Sequence, residues 1–487
     1  MINIFHKLKF LSKALPKTMA MITKRASLLV TIVLTGFCIQ VRAATPNVVI
    51  IYFDDTGWKD FGCFGGAVDT PHIDQLAKDG MRFTEYYAPA PNCSPSRAGL
   101  LTGRFPFRVG MYSYRSKNTP MHLPDSETTI AEVLKNKGFA TGMFGKWHLG
   151  NLKGELHPTP SAQGFDYWLA CDNNLIKHNP KSLIRNGKPV GKIEGWAAQV
   201  VADEANGWMK KQTAPFFAYI AFSETHSPVD APEELKAKYI ERGDDKKRAT
   251  YRGMTEYSDA AVGSILKTLD DMGVSDNTLV FLASDNGPTS EVSCEGLRGK
   301  KSYTWEGGVR VPAIIRWPGN VKPGSEYNDP VGGIDLLPTL CDIVGAELPK
   351  KHIDGASIRP VLEGKPFKRT APILSFFYRS NPAASMRLGD YVLIAHSDDE
   401  ARRKSHSMGA ADMPMVKSTK LVSFELYNIK DDLGQKKDIA AAYPEKLAEL
   451  RKIMVALHRD AISEGPFWKF PEAKTKKKKR KLKKQNN

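Results

Sequence analysis

Five apolar runs, rich in β-branched and aromatic residues, punctuate the chain at residues 47–53 (NVVIIYF), 139–144, 215–222 (PFFAYIAF), 278–284 (TLVFLAS) and 311–315. Unbroken apolarity, in place of strict alternation, marks strands covered on both faces. Helical patterns lie between them at residues 128–137, closed by Gly138, at 196–211, and at 254–271, closed by Gly273. Glycine just past the last apolar position is a common helix stop. Strands alternating with helices predict an α/β domain: a large, mostly parallel mixed sheet flanked by helices. After about residue 366 the pattern changes. Residues 371–378, 386–395 and 422–428 read as shorter strands, 397–420 as a polar loop and 444–458 as a helix. This predicts a smaller C-terminal antiparallel α+β subdomain. The expected organisation is a leader (1–43), a principal domain (44–365), the subdomain (366–470) and a basic tail (471–487).

Composition changes that picture little, but charge sharpens it. The 487 residues are 41% hydrophobic and 25% charged, which excludes a disordered, collagenous or coiled-coil chain. A net charge of +17 invites a nucleic-acid reading. Its location removes that reading. Residues 1–43 carry seven basic residues and no acid, and residues 474–487 carry nine and no acid, together all but one unit of the net charge. The body is near neutral, and no nucleic-acid partner is expected.

The run at residues 26–37 (ASLLVTIVLTGF) is shorter than the ~20 residues needed to span a bilayer. It follows Lys24-Arg25 and precedes Val41-Arg42-Ala43, an A-x-A-like cleavage site, so it reads as a secretory signal peptide. The expected location is exported, periplasmic or extracellular. The low-complexity lysine tail reads as disordered. Its charge would let it bind an anionic polymer through counterion release. Six cysteines (Cys38, Cys63, Cys93, Cys171, Cys294 and Cys341) show no zinc spacing. Five remain after the leader, an odd number for an exported protein.

Candidate chemistry gathers at strand ends. The first strand runs into Asp54-Asp55, the second into Gly145-Lys146-Trp147-His148, the third into Glu224-Thr225-His226 and the fourth into Asp285-Asn286. Open α/β sheets bind ligands outside the carboxyl ends of their strands, so four strands deliver polar groups to one edge. Asp54, Asp55, Asp285 and Asn286 form an all-oxygen set suited to Ca²⁺ or Mg²⁺. The densest motif is CSPSRAGLLTG, residues 93–103. Ser94 fits a helix cap, Pro95 its first turn and Gly103 its end, placing Cys93 just before a helix N-terminus. Its generic reading is a nucleophilic thiol of lowered pKa.

C-x-P-S-R-x-x-x-x-T-G, met at Cys93 to Gly103, resembles the first defining motif of the type I, formylglycine-dependent sulfatases of the alkaline-phosphatase superfamily. The second, G-Y-x-T-x-x-x-G-K-x-H, is similar to Gly138 through His148, with Phe139 in place of tyrosine. Asp54-Asp55, Ser284 to Gly287, and Arg298 through Gly308 resemble further blocks. The broad look is nearer to arylsulfatase A and N-acetylgalactosamine-6-sulfatase than to choline or alkyl sulfatases.

The resemblance implies an alkaline-phosphatase-like fold and a formylglycine made from Cys93 by a formylglycine-generating enzyme. One hydroxyl of its hydrate attacks the ester sulfur and the alcohol leaves; the sulfated hydrate then collapses, expelling sulfate and restoring the aldehyde. It further implies a Ca²⁺ (or Mg²⁺) held by Asp54, Asp55, Asp285, Asn286 and the modified Cys93. Lys146 and Lys301 would neutralise sulfate oxygens, while Arg97 steadies the formylglycine. His148 takes its proton and His226 protonates the alcohol, so Lys146, His226 and Lys301 also bind substrate. Lys301 is preferred to Lys300 because its spacing to Glu306 is the family's. The expected substrate is a sulfated carbohydrate or an aryl sulfate. Alternatives are a phosphomonoester or phosphonate-ester hydrolase of the same superfamily and a noncatalytic polysaccharide-binding protein. Conversion of Cys93 leaves four cysteines, compatible with zero, one or two disulfides.

Overall fold

The computed structural model describes residues 45–470 apart from 117–118, 153–157, 295 and 399–407. The predicted leader and basic tail fall outside the described residues. The described residues from Pro46 to Phe470 belong to one compact unit.

The principal elements in chain order are β1 (Asn47–Asp54), β2 (Met81–Phe83), α1 (Cys93–Thr102), α2 (Ile130–Asn136), β3 (Ala140–Lys146) and β4 (Tyr167–Cys171). They continue with α3 (Ala197–Met209), β5 (Phe216–Thr225), α4 (Lys246–Asp271), β6 (Thr278–Ser284), β7 (Ala313–Arg316) and β8 (Ser325–Tyr327). These strands form a ten-stranded sheet in the order β8-β2-β7-β6-β1-β5-β3-β4, completed by a hairpin of Ile184–Arg185 and Lys188–Pro189. The central strands β6, β1, β5, β3 and β4 are parallel, with Val48 of β1 opposite Phe217 and Leu279. β7 runs antiparallel to β6 and β2. The expected mostly parallel mixed sheet is the one observed.

β1 shows why the run is apolar throughout. Val48, Ile50 and Tyr52 join the core on one face, Val49, Ile51 and Phe53 the core on the other. Successive side chains of a strand point to opposite faces, so covering both faces requires both sets to be apolar. α1 and α2 contribute Leu100, Leu101, Ile130 and Leu134 to the first core. α3 and α4 contribute Val201, Met209, Met254 and Ile265 to the second. α2 opens with a capping box: Thr129 Oγ1 accepts from the Glu132 N–H, and the Glu132 carboxylate accepts from the Thr129 N–H.

The C-terminal part contains β9 (Ile373–Phe376), β10 (Ala384–Leu388), β11 (Tyr391–Ser397), α5 (Asp412–Ser418), β12 (Leu421–Asn428) and α6 (Pro444–Glu464). Its four strands make an antiparallel sheet in sequence order. The structure corrects the predicted elements in three places. The run 386–395 is two strands, because Gly389 takes a positive φ of 57° and turns the chain between β10 and β11. α5 lies inside the predicted polar loop, its buried Met413 and Val416 spaced for one helix face. α4 starts at Lys246, where the Asp245 carboxylate accepts from the Arg248 N–H; its charged opening turns conceal the apolar period. The five described cysteines are free thiols.

Candidate active site

Parallel neighbours β6, β1, β5 and β3 end on the same edge, which brings together the groups expected there. Asp54 closes β1, Lys146 closes β3, His226 follows β5, and Asp285-Asn286 follow β6. Just past their strands, Asp55 (φ 67°) and His148 (φ 58°) adopt left-handed backbone conformations. Such conformations cost about 1–3 kcal/mol for residues other than glycine and persist where the surroundings enforce them, commonly at functional sites.

The three carboxylates are buried, and each has its own cation. Lys146 Nζ lies 2.6 Å from Asp54 Oδ2. Lys301 Nζ donates to both Asp55 oxygens, at 2.6 and 2.8 Å. Arg97 holds Asp285 Oδ2 through Nε (3.0 Å) and Nη2 (2.8 Å), and donates from Nη1 to the Lys146 carbonyl. Asn286 Nδ2 donates to Asp55 Oδ1 at 2.7 Å. Burial alone would raise the Asp54 carboxyl, but the Lys146 ammonium holds it well below the usual range. Burial and the adjacent Asp54 charge push Asp285 up to about 7. Two oxygens in this cluster, Asp54 Oδ1 and Asn286 Oδ1, are buried without a hydrogen-bond partner. Ligand atoms of Asp54, Asp55 and His226 lie within 4.8 Å of one another. Unpaired oxygens among converging carboxylates suit a hard divalent cation, which takes carboxylate and amide oxygens.

Cys93 is the first residue of α1, not the residue before the helix, and Asn92 is its N-cap. Ser94 is not the cap; its Oγ accepts from the Arg115 N–H at 2.9 Å. Gly103 ends α1 with φ 67°, as expected. Burial pushes the Cys93 thiol up in spite of the Lys146 and Lys301 charges. The generic expectation of a thiol activated by lowered pKa is therefore wrong for the unmodified side chain.

Cys93, His148, His226 and Lys301 line one cavity of about 600 Å³. His148 Nε2 lies 2.8 Å from the Arg115 carbonyl, which can only accept, so this nitrogen carries the proton. Nδ1 is then the lone-pair nitrogen, and it is buried without a partner. Burial and the Lys146 charge hold His148 well below the ordinary histidine range, in the neutral form a base requires. His226 Nδ1 donates to the Ser227 carbonyl at 2.6 Å, and its Nε2 faces Asp55 Oδ2 at 3.7 Å.

Sequence reasoning missed several lining residues. Asn92 lines the cavity, both its amide atoms are buried without a hydrogen-bond partner, and its position directly before Cys93 was the available signal. Tyr114, Thr289 and Tyr303 carry no motif that would single them out. Phe377, Arg379 and Asn381 come from the C-terminal part, and Asn173 from the loop after β4. Lys300 and Lys301 both line the cavity, and Lys301 reaches Asp55.

The Sulfatase family model matches residues 46–346, and that of the N-sulphoglucosamine sulphohydrolase C-terminal region matches 298–400. Arylsulfatase A of Homo sapiens is 35% identical over 477 residues, covering 87% of this chain and 90% of that one. N-acetylgalactosamine-6-sulfatase of Sus scrofa is 32% identical over 491 residues, covering 91% of each. Among solved structures, Ps i-CgsB in complex with k-i-k-neocarrahexaose superposes with a TM-score of 0.76 at 26% identity, covering 90% of this chain and 97% of that one. The motifs, the strand-edge cluster and these likenesses agree: the chain belongs to the sulfatase family, as a type I sulfatase that hydrolyses sulfuric esters.

Proposed function

We propose that the protein is an exported sulfatase acting on a sulfated carbohydrate through a formylglycine made from Cys93, with a divalent cation, Ca²⁺ in preference to Mg²⁺. The observation that carries this reading is the placement of Cys93 at the start of α1, in one cavity with His148, His226 and Lys301. Burial pushes the Cys93 thiol up, which disfavours the thiolate a cysteine nucleophile needs; a formylglycine at this position has no such requirement. A relative named N-acetylgalactosamine-6-sulfatase and a neighbour solved with a neocarrahexaose support a sugar substrate.

Asp54, Asp55, Asp285 and Asn286, with the oxygen of the converted Cys93, would hold the cation. A hard cation there supplies Lewis-acid stabilisation of sulfate oxygens. Formylglycine supplies a hydrated aldehyde whose hydroxyl is the nucleophile. Lys146 and Lys301 offset charge on the ester oxygens, in a buried setting where fixed charges act strongly. Arg97, pinned by Asp285 and the Lys146 carbonyl, fixes the first turn of α1 and with it residue 93. His148 takes a proton at Nδ1. His226, when protonated at both nitrogens, gives a proton from Nε2 to the departing alcohol; burial lowers its pKa, which makes the imidazolium a stronger acid while reducing the share of enzyme that carries it.

Turnover of an aryl sulfate, an aryl phosphate and a sulfated oligosaccharide by the secreted protein tests the reading. Sulfate release from the first and third, with little phosphate release, is expected; preference for the phosphate would overturn it. The mature chain should begin at Ala44.

A further inference from the structure

A second cavity of about 540 Å³ shares no residue with the catalytic one. One wall is a single face of α6, presenting Arg451, Val455, His458, Arg459 and Ile462; the other runs from Lys417 to Val422. Spacings of three and four residues put those α6 side chains on one stripe. Its floor is apolar, with Val422 51% exposed. Its rim is cationic, and no carboxylate among the described residues lines it.

The charges are not spent locally. Lys417 donates to the Ile462 and Gly465 carbonyls at the end of α6. Among the described residues, the side chains of Lys420, Arg451 and Arg459 form no ion pair, although the Lys420 backbone N–H donates to the Asp398 carboxylate and Asp460 and Glu464 of α6 pair with Arg108 and Arg104. Arg451 instead lies over the Phe424 ring at 5.0 Å. His458 lines the same cavity, 4% exposed, with Nε2 lacking any partner. An apolar floor beside three cations that form no ion pair among the described residues suits a polymer with apolar C–H faces and regularly spaced strong anions.

We infer that the groove between α6 and residues 417–422 is a noncatalytic binding site for a sulfated polysaccharide chain, with Lys420, Arg451 and Arg459 contacting sulfates. The inference rests on the proposed carbohydrate substrate and extends it. A polymer held there keeps the enzyme on its substrate between turnovers, raising the local concentration of ester groups.

The test compares the full-length protein, a form ending at Phe470, and each carrying Lys420→Ser, Arg451→Ser and Arg459→Ser. All are measured on dextran sulfate, neutral dextran and polyglutamate columns, with aryl sulfate turnover and thermal melting in parallel. The triple variant should bind dextran sulfate about ten- to a hundredfold more weakly in low salt, in both backgrounds. The slope of log affinity against log salt should fall by about 2, as loss of three ionic contacts demands. Aryl sulfate turnover should be unchanged, and Lys420→Arg with Arg451→Lys and Arg459→Lys should retain binding. Unchanged retention of the triple variant in the form ending at Phe470 would overturn the inference, as would equal losses on dextran sulfate and polyglutamate. Absence of aryl sulfate turnover in the unaltered protein would instead overturn the proposed function.

Discussion

Lys146 Nζ and Asp54 Oδ2 meet at 2.6 Å at the ends of adjacent-but-one parallel strands, both side chains fully buried. Lys146→Met would leave the Asp54 carboxylate buried without its nearest cation. Breaking one side of a buried pair costs about 3–5 kcal/mol. Denaturant unfolding should show a loss of that size, and aryl sulfate turnover should fall to background. Unaltered stability would mean that Arg97 and the other cations suffice for Asp54.

The residue before that lysine sets its direction. Gly145 has φ 100°, and a Cβ there would sit 2.0 Å from the Ala221 carbonyl oxygen of β5. Gly145→Ala combines a strained backbone with overpacking, each costing about 1–3 kcal/mol. A drop in melting temperature with loss of turnover is expected; a fully active, equally stable variant would contradict the close approach of β3 and β5.

Cation removal should be visible in stability as well as in rate. Chelation is expected to lower both, and Ca²⁺ at a hundredfold excess over its dissociation constant should restore about 2.7 kcal/mol. Asp285→Asn should shrink that stabilisation. Turnover and melting both indifferent to chelator and cation would contradict the oxygen cluster as a metal site.

His458 offers a pH signature away from the active site. Buried between Phe107 and Phe376, its imidazole is pushed down to about 4 by desolvation. Between about pH 6.5 and 4 the unfolded chain binds this proton and the folded chain does not. Stability from this site therefore falls as pH drops through that window, by on the order of 3 kcal/mol in total. His458→Phe should flatten that part of the stability–pH curve, measured by denaturant unfolding. An unchanged slope would contradict a neutral buried imidazole.

Much of this was legible in the chain because the central strands are covered on both faces. Unbroken runs such as 47–53 have few other structural outcomes, and the polar residues ending them had to arrive at one edge. Motif spacing added the order of the site along the chain. The parts that sequence hid are those fixed by tertiary packing. The break at Gly389 depends on a turn, α5 on two buried apolar residues in a polar stretch, and the α1 boundary on Asn92, its extended N-cap residue. The lowered thiol pKa expected of a helix N-terminus yielded to the greater desolvation of Cys93. Cavity residues Phe377 and Asn381 lie far from the motifs in sequence and reach the site only because the C-terminal sheet packs there.

Mass spectrometry of the peptide spanning Cys93, on enzyme whose aryl sulfate turnover has been measured, tests the central claim most directly. The account predicts an aldehyde-bearing, sulfur-free residue 93 in active protein, and no turnover for Cys93→Ala. A fully active enzyme with unmodified cysteine at position 93 would contradict it.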